Sequence, residues 1–450
     1  MRINNIKNLL TKKSLSFFLL IYFVTVSQMF AQGIDSTEQS QLVVKLKSFP
    51  EIVSVTKLKN NSFNEVLEVS ITQPIDHTNP NSKTFTQRLY IGHMNFNNPV
   101  VINTQGYSAN RFYRFELSSI LNANQIIVEN RYFGKSMPDT LIWNYLTSKQ
   151  VAEDIHHITR ILKKIYKNKW VSTGISKGGQ TCLFYRKYYP DDVDATVAYV
   201  APINPEQENR NINKFISSEV GTKKCRKRIE DFQLLLLDKE KELLPIVKKY
   251  SEKKKYKFRI GIEKAFEYGV LEYPFSFWQW GAYTCDSIPS DRSTLKNIFN
   301  KYIKVSSLGL YSDKTVEYLG PLFYQSYNEL GYYNFKYNSE QVISKLKYVT
   351  NLSNNIFLPQ NVRVEYNPAI LKSVINYLQN EGNNIIYVYG GNDPWSSGAA
   401  IDLIGKTNSF KIVKKNGTHA SRILNLDEKQ KDKIYNNLKK WLNLKKINRL

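Results

Sequence analysis

Three residue types in one order along this chain can perform nucleophilic chemistry: a serine between glycines, an aspartate far downstream of it, and a histidine after that. The serine lies in Val171-Ser172-Thr173-Gly174-Ile175-Ser176-Lys177-Gly178-Gly179, where a β-branched run breaks into Gly-x-Ser-x-Gly and continues as a helical pattern. A hydroxyl offered to an incoming carbonyl sits on a sharp strand-to-helix turn, where only small residues fit on either side. Gly174 and Gly178 give that room, which makes Ser176 the candidate nucleophile. The pattern alone also describes an ordinary glycine-rich turn, so the weight falls on its surroundings.

A serine hydroxyl needs a base, and on such a turn the partners follow in the chain order Ser, Asp or Glu, His. Of the five histidines, His77, His93, His156 and His157 all precede Ser176, which leaves His419. It lies in Lys414-Lys415-Asn416-Gly417-Thr418-His419-Ala420, directly after the strand-like Phe410-Lys411-Ile412-Val413. The acid should close a strand between the two, and Asn384-Ile385-Ile386-Tyr387-Val388-Tyr389 runs into Gly390-Gly391-Asn392-Asp393-Pro394-Trp395. Asp393 fits as the orienting carboxylate. Asp before Pro is also the signature of a helix N-cap with proline at the first helical position, and one residue can serve both roles.

These groups need elements to hold them. Thr147-Ser148-Lys149-Gln150 reads as a capping box, after which Val151, Ile155, Ile158, Leu162 and Ile165 recur at helical spacing. Past the serine, Gln180 to Tyr189 continues as a helix, and Ala195-Thr196-Val197-Ala198-Tyr199-Val200-Ala201-Pro202 has the near-continuous apolar character of a buried parallel strand. Helix, strand, turn, helix, strand predicts an α/β fold with a mostly parallel sheet flanked by helices. The stretch between Ser176 and Asp393 is too long for the usual elements. From about 206 to 365 the pattern turns helical and basic, with Leu234 to Leu237, Leu243, Leu244 and Ile246, then Tyr273-Pro274-Phe275-Ser276-Phe277-Trp278-Gln279-Trp280. We read a large, mainly helical cap inserted over the site, dividing the core into 40–205 and 366–450. Trp278 and Trp280 either line the pocket under this cap or fill its core. A closing helix with Ile434, Leu438, Trp441 and Leu442 on one face packs back on the sheet.

Gln73-Pro74-Ile75-Asp76-His77, Thr104-Gln105-Gly106-Tyr107, Glu129-Asn130-Arg131-Tyr132-Phe133-Gly134-Lys135-Ser136, the serine block and Asp192 to Pro202 together resemble the secreted tripeptidyl aminopeptidases. These are α/β-hydrolase serine peptidases similar to, but distinct from, lysosomal prolylcarboxypeptidase and dipeptidyl peptidase II. The resemblance runs from about Gln73 to Pro205 and resumes around Asp393 and His419. The chain departs from the lysosomal pattern at Asn130, where histidine is expected. The resemblance implies a serine exopeptidase that releases short peptides, tripeptides in this family, from free amino termini. Ser176 would attack, His419 would move the proton, and Asp393 would hold the imidazole. The oxyanion would be met by the backbone N–H of Lys177 and by that of Gly106 or Tyr107, on the loop after Val100-Val101-Ile102-Asn103. A carboxylester hydrolase with the same triad is one alternative. A noncatalytic, basic, surface-polymer-binding protein of hydrolase shape is another.

An exopeptidase must read a charged amino terminus, which calls for a carboxylate. Glu129 closes the strand-like Gln125-Ile126-Ile127-Val128 at the end where ligands of open α/β sheets gather. It is either that anchor or a salt-bridge partner of Arg131 or Lys177. Lys177, a cation in the first turn of a helix, opposes the macrodipole. Its charge is either solvated or put to use, on the oxyanion or on Glu129.

Met1 to Leu15 carries Arg2, Lys7, Lys12 and Lys13 without an acid, and an apolar run over Ser16 to Val26 leads to Met29-Phe30-Ala31. This reads as a secretory signal peptide over 1–31, so the expected location is secreted or periplasmic, with no membrane span in the mature chain. Such a compartment allows Cys225 and Cys285 to pair, while Cys182 reads as a small buried hydrophobe. No spacing suggests a metal site, and no cofactor is expected. The net charge is +24, and the remainder keeps +20 once the leader is removed. Its lysines are scattered and no nucleic-acid motif accompanies them, so no nucleic-acid partner is expected. Oligomeric state is left open.

Overall fold

A computed structural model of the chain describes residues 40–281, 283–399, 401–403 and 405–450; the expected leader over 1–31 lies outside them. The chain divides into a unit ending at Ser48 and one from Phe49 to Leu450. The described part of the first is the short helix Gln41–Lys47, whose first-turn N–H group of Val43 is capped by the Ser40 hydroxyl.

The second unit is built on one nine-stranded sheet ordered β1-β2-β3-β5-β4-β6-β7-β8-β9. Strands β1 (Ile52–Leu58), β2 (Glu65–Pro74) and β3 (Thr84–His93) form an antiparallel meander, and β3 pairs antiparallel with β5 (Asn124–Val128). The rest, β4 (Val100–Thr104), β6 (Trp170–Ile175), β7 (Ala195–Tyr199), β8 (Ile385–Gly390) and β9 (Phe410–Lys414), run parallel with β5. Successive side chains of a strand point to opposite faces. In β8, Ile386 and Val388 therefore join a core with Ile434, Tyr435 and Leu438 of the closing helix Glu428–Trp441, whereas Ile385, Tyr387 and Tyr389 meet Leu183 and Phe184, with Leu371 and Leu378, on the other face. Both faces are covered, which is why the central strands are buried at nearly every position.

After β4 the chain steps one way to β5 and then back past β4 to β6, so β4 marks a switch in direction. The pairing Asn103↔Thr173 aligns the carboxyl ends of β4 and β6. The loop Gln105–Tyr107 and the turn at Ser176 thus emerge side by side, in the crevice where open α/β sheets place their ligands.

Between β7 and β8 the chain is helical and builds a core of its own, with Phe232, Leu236, Phe266, Leu271, Phe275, Ile298 and Tyr302 among its members. Its centre is the helix Ile262–Trp280, buried at every residue from Ala265 to Trp278. Pro274 inside it cannot donate to the carbonyl of Val270. That freed carbonyl accepts the side-chain amide of Gln233 at 2.7 Å, and Leu271 O takes the Tyr337 hydroxyl and the Asn338 amide. The interruption is thus satisfied from neighbouring segments, as buried backbone must be. Cys225 and Cys285 form a disulfide, Cα to Cα 5.5 Å, that ties the start of the helix Lys223–Asp238 to the chain beyond the central helix. Cys182 is a free, buried thiol.

Candidate active site

Ser176 sits between β6 and the helix Lys177–Tyr188 with φ 57° and ψ −127°, a left-handed conformation that costs a non-glycine residue about 1–3 kcal/mol and is kept where the surroundings enforce it. Those surroundings are close. A Cβ on Gly174 would lie 2.1 Å from the carbonyl oxygen of Gly178, and one on Gly178 would lie 2.4 Å from that of Thr104. The Ser176 N–H donates to Tyr199 O at 2.9 Å, and its carbonyl accepts Gln180 N–H at 2.9 Å.

His419 follows β9 and is buried, as is Asp393 beyond β8. Their loops are clasped: Asn392 N–H donates to Gly417 O at 2.7 Å, and a side chain on Gly390 would strike Thr418 O. His419 Nδ1 lies 2.9 Å from Asp393 Oδ2, an oxygen that also accepts the Ser396 hydroxyl at 2.6 Å. Asp393 Oδ1 takes Trp395 N–H at 3.3 Å, so the residue caps the helix Pro394–Ser397 as well as binding the imidazole. The His419 N–H donates to Gln279 O at 2.9 Å, and Trp280 meets the imidazole edge to face at 5.7 Å between ring centres.

Ser176, His419, Gly106, Tyr107 and Lys177 border one cavity of about 610 Å³. The helical region supplies further walls, including Glu272, Phe275, Ser276, Gln279, Trp280, Tyr332 and Tyr333. Gly106 is packed so tightly that a Cβ would fall 2.6 Å from that of Lys177. Asn130, the departure from the lysosomal pattern, braces this loop: its side-chain amide donates to Gln105 O at 3.1 Å and its N–H to Tyr107 O at 3.2 Å. Its place directly after β5, beside that loop, was the available signal.

The structure corrects two of the expected substrate contacts. Glu129 is fully buried and absent from the cavity wall. Its carboxylate pairs with neither Arg131 nor Lys177 but with Arg88 of β3, and it also accepts from the N–H groups of Ala109 and Lys135 and from the Ser136 hydroxyl. A carboxylate so filled has no capacity left for a substrate ammonium. Trp278 turns into the helical core, where its ring covers Gly221, while Trp280, 56% exposed, lines the cavity. Residues two apart on a helix do not share a face, so only one of the two can do so.

Lys177 follows neither course expected of it towards solvent or Glu129. Its buried ammonium donates to Gly106 O at 3.0 Å, with the rings of Phe133 and Tyr107 at 5.5 and 5.8 Å. Burial lowers its pKa to about 7, against the opposing pull of Glu329. The other histidines are engaged elsewhere, His77 with Asp154, His93 with Tyr166, His156 with Asp192 and His157 with Gln73. Asp154 also receives Arg131 through two hydrogen bonds of 2.7 and 2.6 Å, so the Gln73–His77 and Glu129–Ser136 segments are fastened to each other through it. Among the described residues no cluster of three or more His, Cys, Asp or Glu could hold a metal, and no helix is long and apolar enough to cross a membrane.

A mostly parallel sheet, a serine on a strained strand-to-helix turn, and an aspartate and histidine on the loops after β8 and β9 define an α/β-hydrolase. The chain belongs to the PS-10 peptidase S37 family, whose model matches residues 39–447, and it is a serine peptidase. A prolyl tri/tetrapeptidyl aminopeptidase of Streptomyces mobaraensis is 30% identical over 388 residues, covering 83% of this chain and 80% of that protein. The human lysosomal Pro-X carboxypeptidase is 28% identical over 152 residues, 29% of this chain and 31% of that protein. Among solved structures, acetyl xylan esterase 1 from Thermoanaerobacterium superposes with a TM-score of 0.37 and 11% identity, covering 90% of this chain and 91% of that one.

Proposed function

We propose that this peptidase is a secreted aminopeptidase that releases short fragments, tripeptides foremost, from free amino termini through an acyl-enzyme on Ser176. The observation that carries the reading is the His419–Asp393 hydrogen bond at the edge of the same cavity that the strained Ser176 borders. In this mechanism Ser176 Oγ attacks the scissile carbonyl as His419 Nε2 takes its proton, and the imidazolium returns that proton to the leaving amine. Asp393 fixes the tautomer by accepting from Nδ1. Water then attacks the acyl-enzyme with His419 again as base.

The oxyanion would be met by the Lys177 N–H and by one from the Gly106–Tyr107 loop, donors held rigidly before charge develops. Trp280 would lie along the substrate beside the imidazole. We take 40–205 and 366–450 as the hydrolase core and 206–365 as a cap that restricts entry to chain ends, with the leader over 1–31 directing export.

Labelling by a fluorophosphonate, followed by mass spectrometry of a peptide library, tests this. Adduct formation at Ser176, lost in Ser176→Ala, together with fragments cut only from free amino termini, supports it. Labelling elsewhere, or equal turnover of acetylated peptides, rejects it.

A further inference from the structure

The central helix Ile262–Trp280 buries two glutamates in different ways. Glu267 accepts three backbone N–H groups, from Lys347 at 2.6 Å, Tyr348 at 3.0 Å and Val349 at 2.6 Å. Glu272 receives only two hydroxyls, Ser276 on Oε1 at 2.7 Å and Tyr333 on Oε2 at 2.8 Å. It is the one carboxylate among the described residues lining the cavity, and no Lys, Arg or His among the described residues forms an ion pair with it. A carboxylate offers about four acceptor sites, so two remain. Burying such a group without a cation is costly. Because it faces a cavity, a cation entering with a ligand can reach it.

The neighbouring walls suit a small cation. Phe275, Tyr333 and Trp395 enclose this end of the cavity with ring centres 4.1 to 5.4 Å apart. Aromatic faces attract an ammonium within about 6 Å.

Position sets a length. Glu272, Ser276 and Gln279 follow one another at i, i+4 and i+7, and all three line the cavity. Gln279 O accepts the backbone N–H of His419, which holds that end of the helix against the loop carrying the imidazole, and Trp280 meets the ring itself at 5.7 Å between centres. Seven residues of helix at 1.5 Å each set Glu272 about 10 Å along the axis from Gln279, the residue bonded to the His419 main chain. An extended peptide advances about 3.3 Å per residue, so three residues reach from an amine at Glu272 to a carbonyl at the serine. Two fall short by about 4 Å.

We propose that Glu272 binds the free α-ammonium of the substrate and that its distance from His419 sets the released fragment at three residues. This rests on the aminopeptidase reading above. The test compares a tripeptide anilide with its N-acetyl form, on wild type and Glu272→Gln, with fluorophosphonate labelling of Ser176 as the measure of an intact site. We expect the ratio of kcat/KM, free over acetylated, to fall by 10- to 100-fold in the variant, mostly through KM, and fragment lengths to become mixed. A wild-type enzyme without preference for the free amine refutes the aminopeptidase reading. A wild-type preference that survives in Glu272→Gln refutes the assignment of Glu272 alone. Should that variant not fold, the crystal structure of Ser176→Ala with a bound tripeptide amide decides: the ammonium within 3.5 Å of Glu272 supports the assignment, and its placement elsewhere overturns it.

Discussion

His419 Nδ1 and Asp393 Oδ2 stand 2.9 Å apart, and Asp393 at the same time caps the short helix that follows it. The two tasks separate on substitution. In Asp393→Asn the side-chain oxygen still caps, at a cost of no more than about 1 kcal/mol, but the amide favours the wrong imidazole tautomer. Turnover should fall by about 10⁴-fold with the melting temperature changed by only a few degrees. Steady-state kinetics beside a thermal melt measure both.

The Lys177 ammonium is spent on the carbonyl of Gly106, in the loop proposed to donate to the oxyanion. Removing a single oxyanion donor costs about 10²- to 10³-fold in kcat, and loosening its carrier should cost less. Lys177→Met is therefore expected to lower kcat about 10-fold with little change in KM. Because the ammonium is buried, the folded protein should lose little or no stability, which chemical denaturation would record.

Stability should depend on pH through two buried carboxyls. Burial raises Glu272 to about 7, against the lowering effect of its bonds with Ser276 and Tyr333, and raises Glu329 likewise to about 7, both from 4.5. A raised acid binds more protons folded than unfolded between those values, so stability is full below about 4.5 and declines as pH rises to about 7. Glu272→Gln should be more stable than wild type at pH 8, by roughly 1–3 kcal/mol, and no more stable at pH 4. Lys177 acts in a separate window. Its lowered value makes the folded state shed its proton first, so stability gains as pH rises from about 7 towards 10.5.

The Cys225–Cys285 bond closes a span of 60 residues within the helical region. In the chain-entropy model a loop of that size contributes about 4 kcal/mol. Cys285→Ser should lower the denaturation midpoint accordingly, and melts with and without reductant should differ for the wild type but not for the variant.

Much of the candidate site was legible because its causes are local. The glycines around Ser176 are required by backbone contacts within the same turn, and Asp393 and His419 each follow a strand marked by its own apolar run. A signal for Glu272 was present too: in the largely apolar second half of the helix Ile262–Trp280, Glu272, Ser276 and Gln279 form a polar stripe at helical spacing. Such a stripe is a reason to ask what polar space it faces.

The sequence by itself determined the strand-to-helix turn, the order of the three proposed catalytic side chains and the helical character of the long insertion. These follow from short-range sterics and periodicity. Tertiary structure alone decided which carboxylate lines the cavity and which is paired within the sheet. The antiparallel pairing of β3 with β5 delivers Arg88 to Glu129 across 41 positions, and the rotation of one helix turns Glu272 and Trp280 to the cavity while Trp278 goes to the core. Pairing across a sheet and the facing of a packed helix are settled by the burial of surfaces distant in the chain; a polar stripe marks a face of a helix without naming the surface it meets.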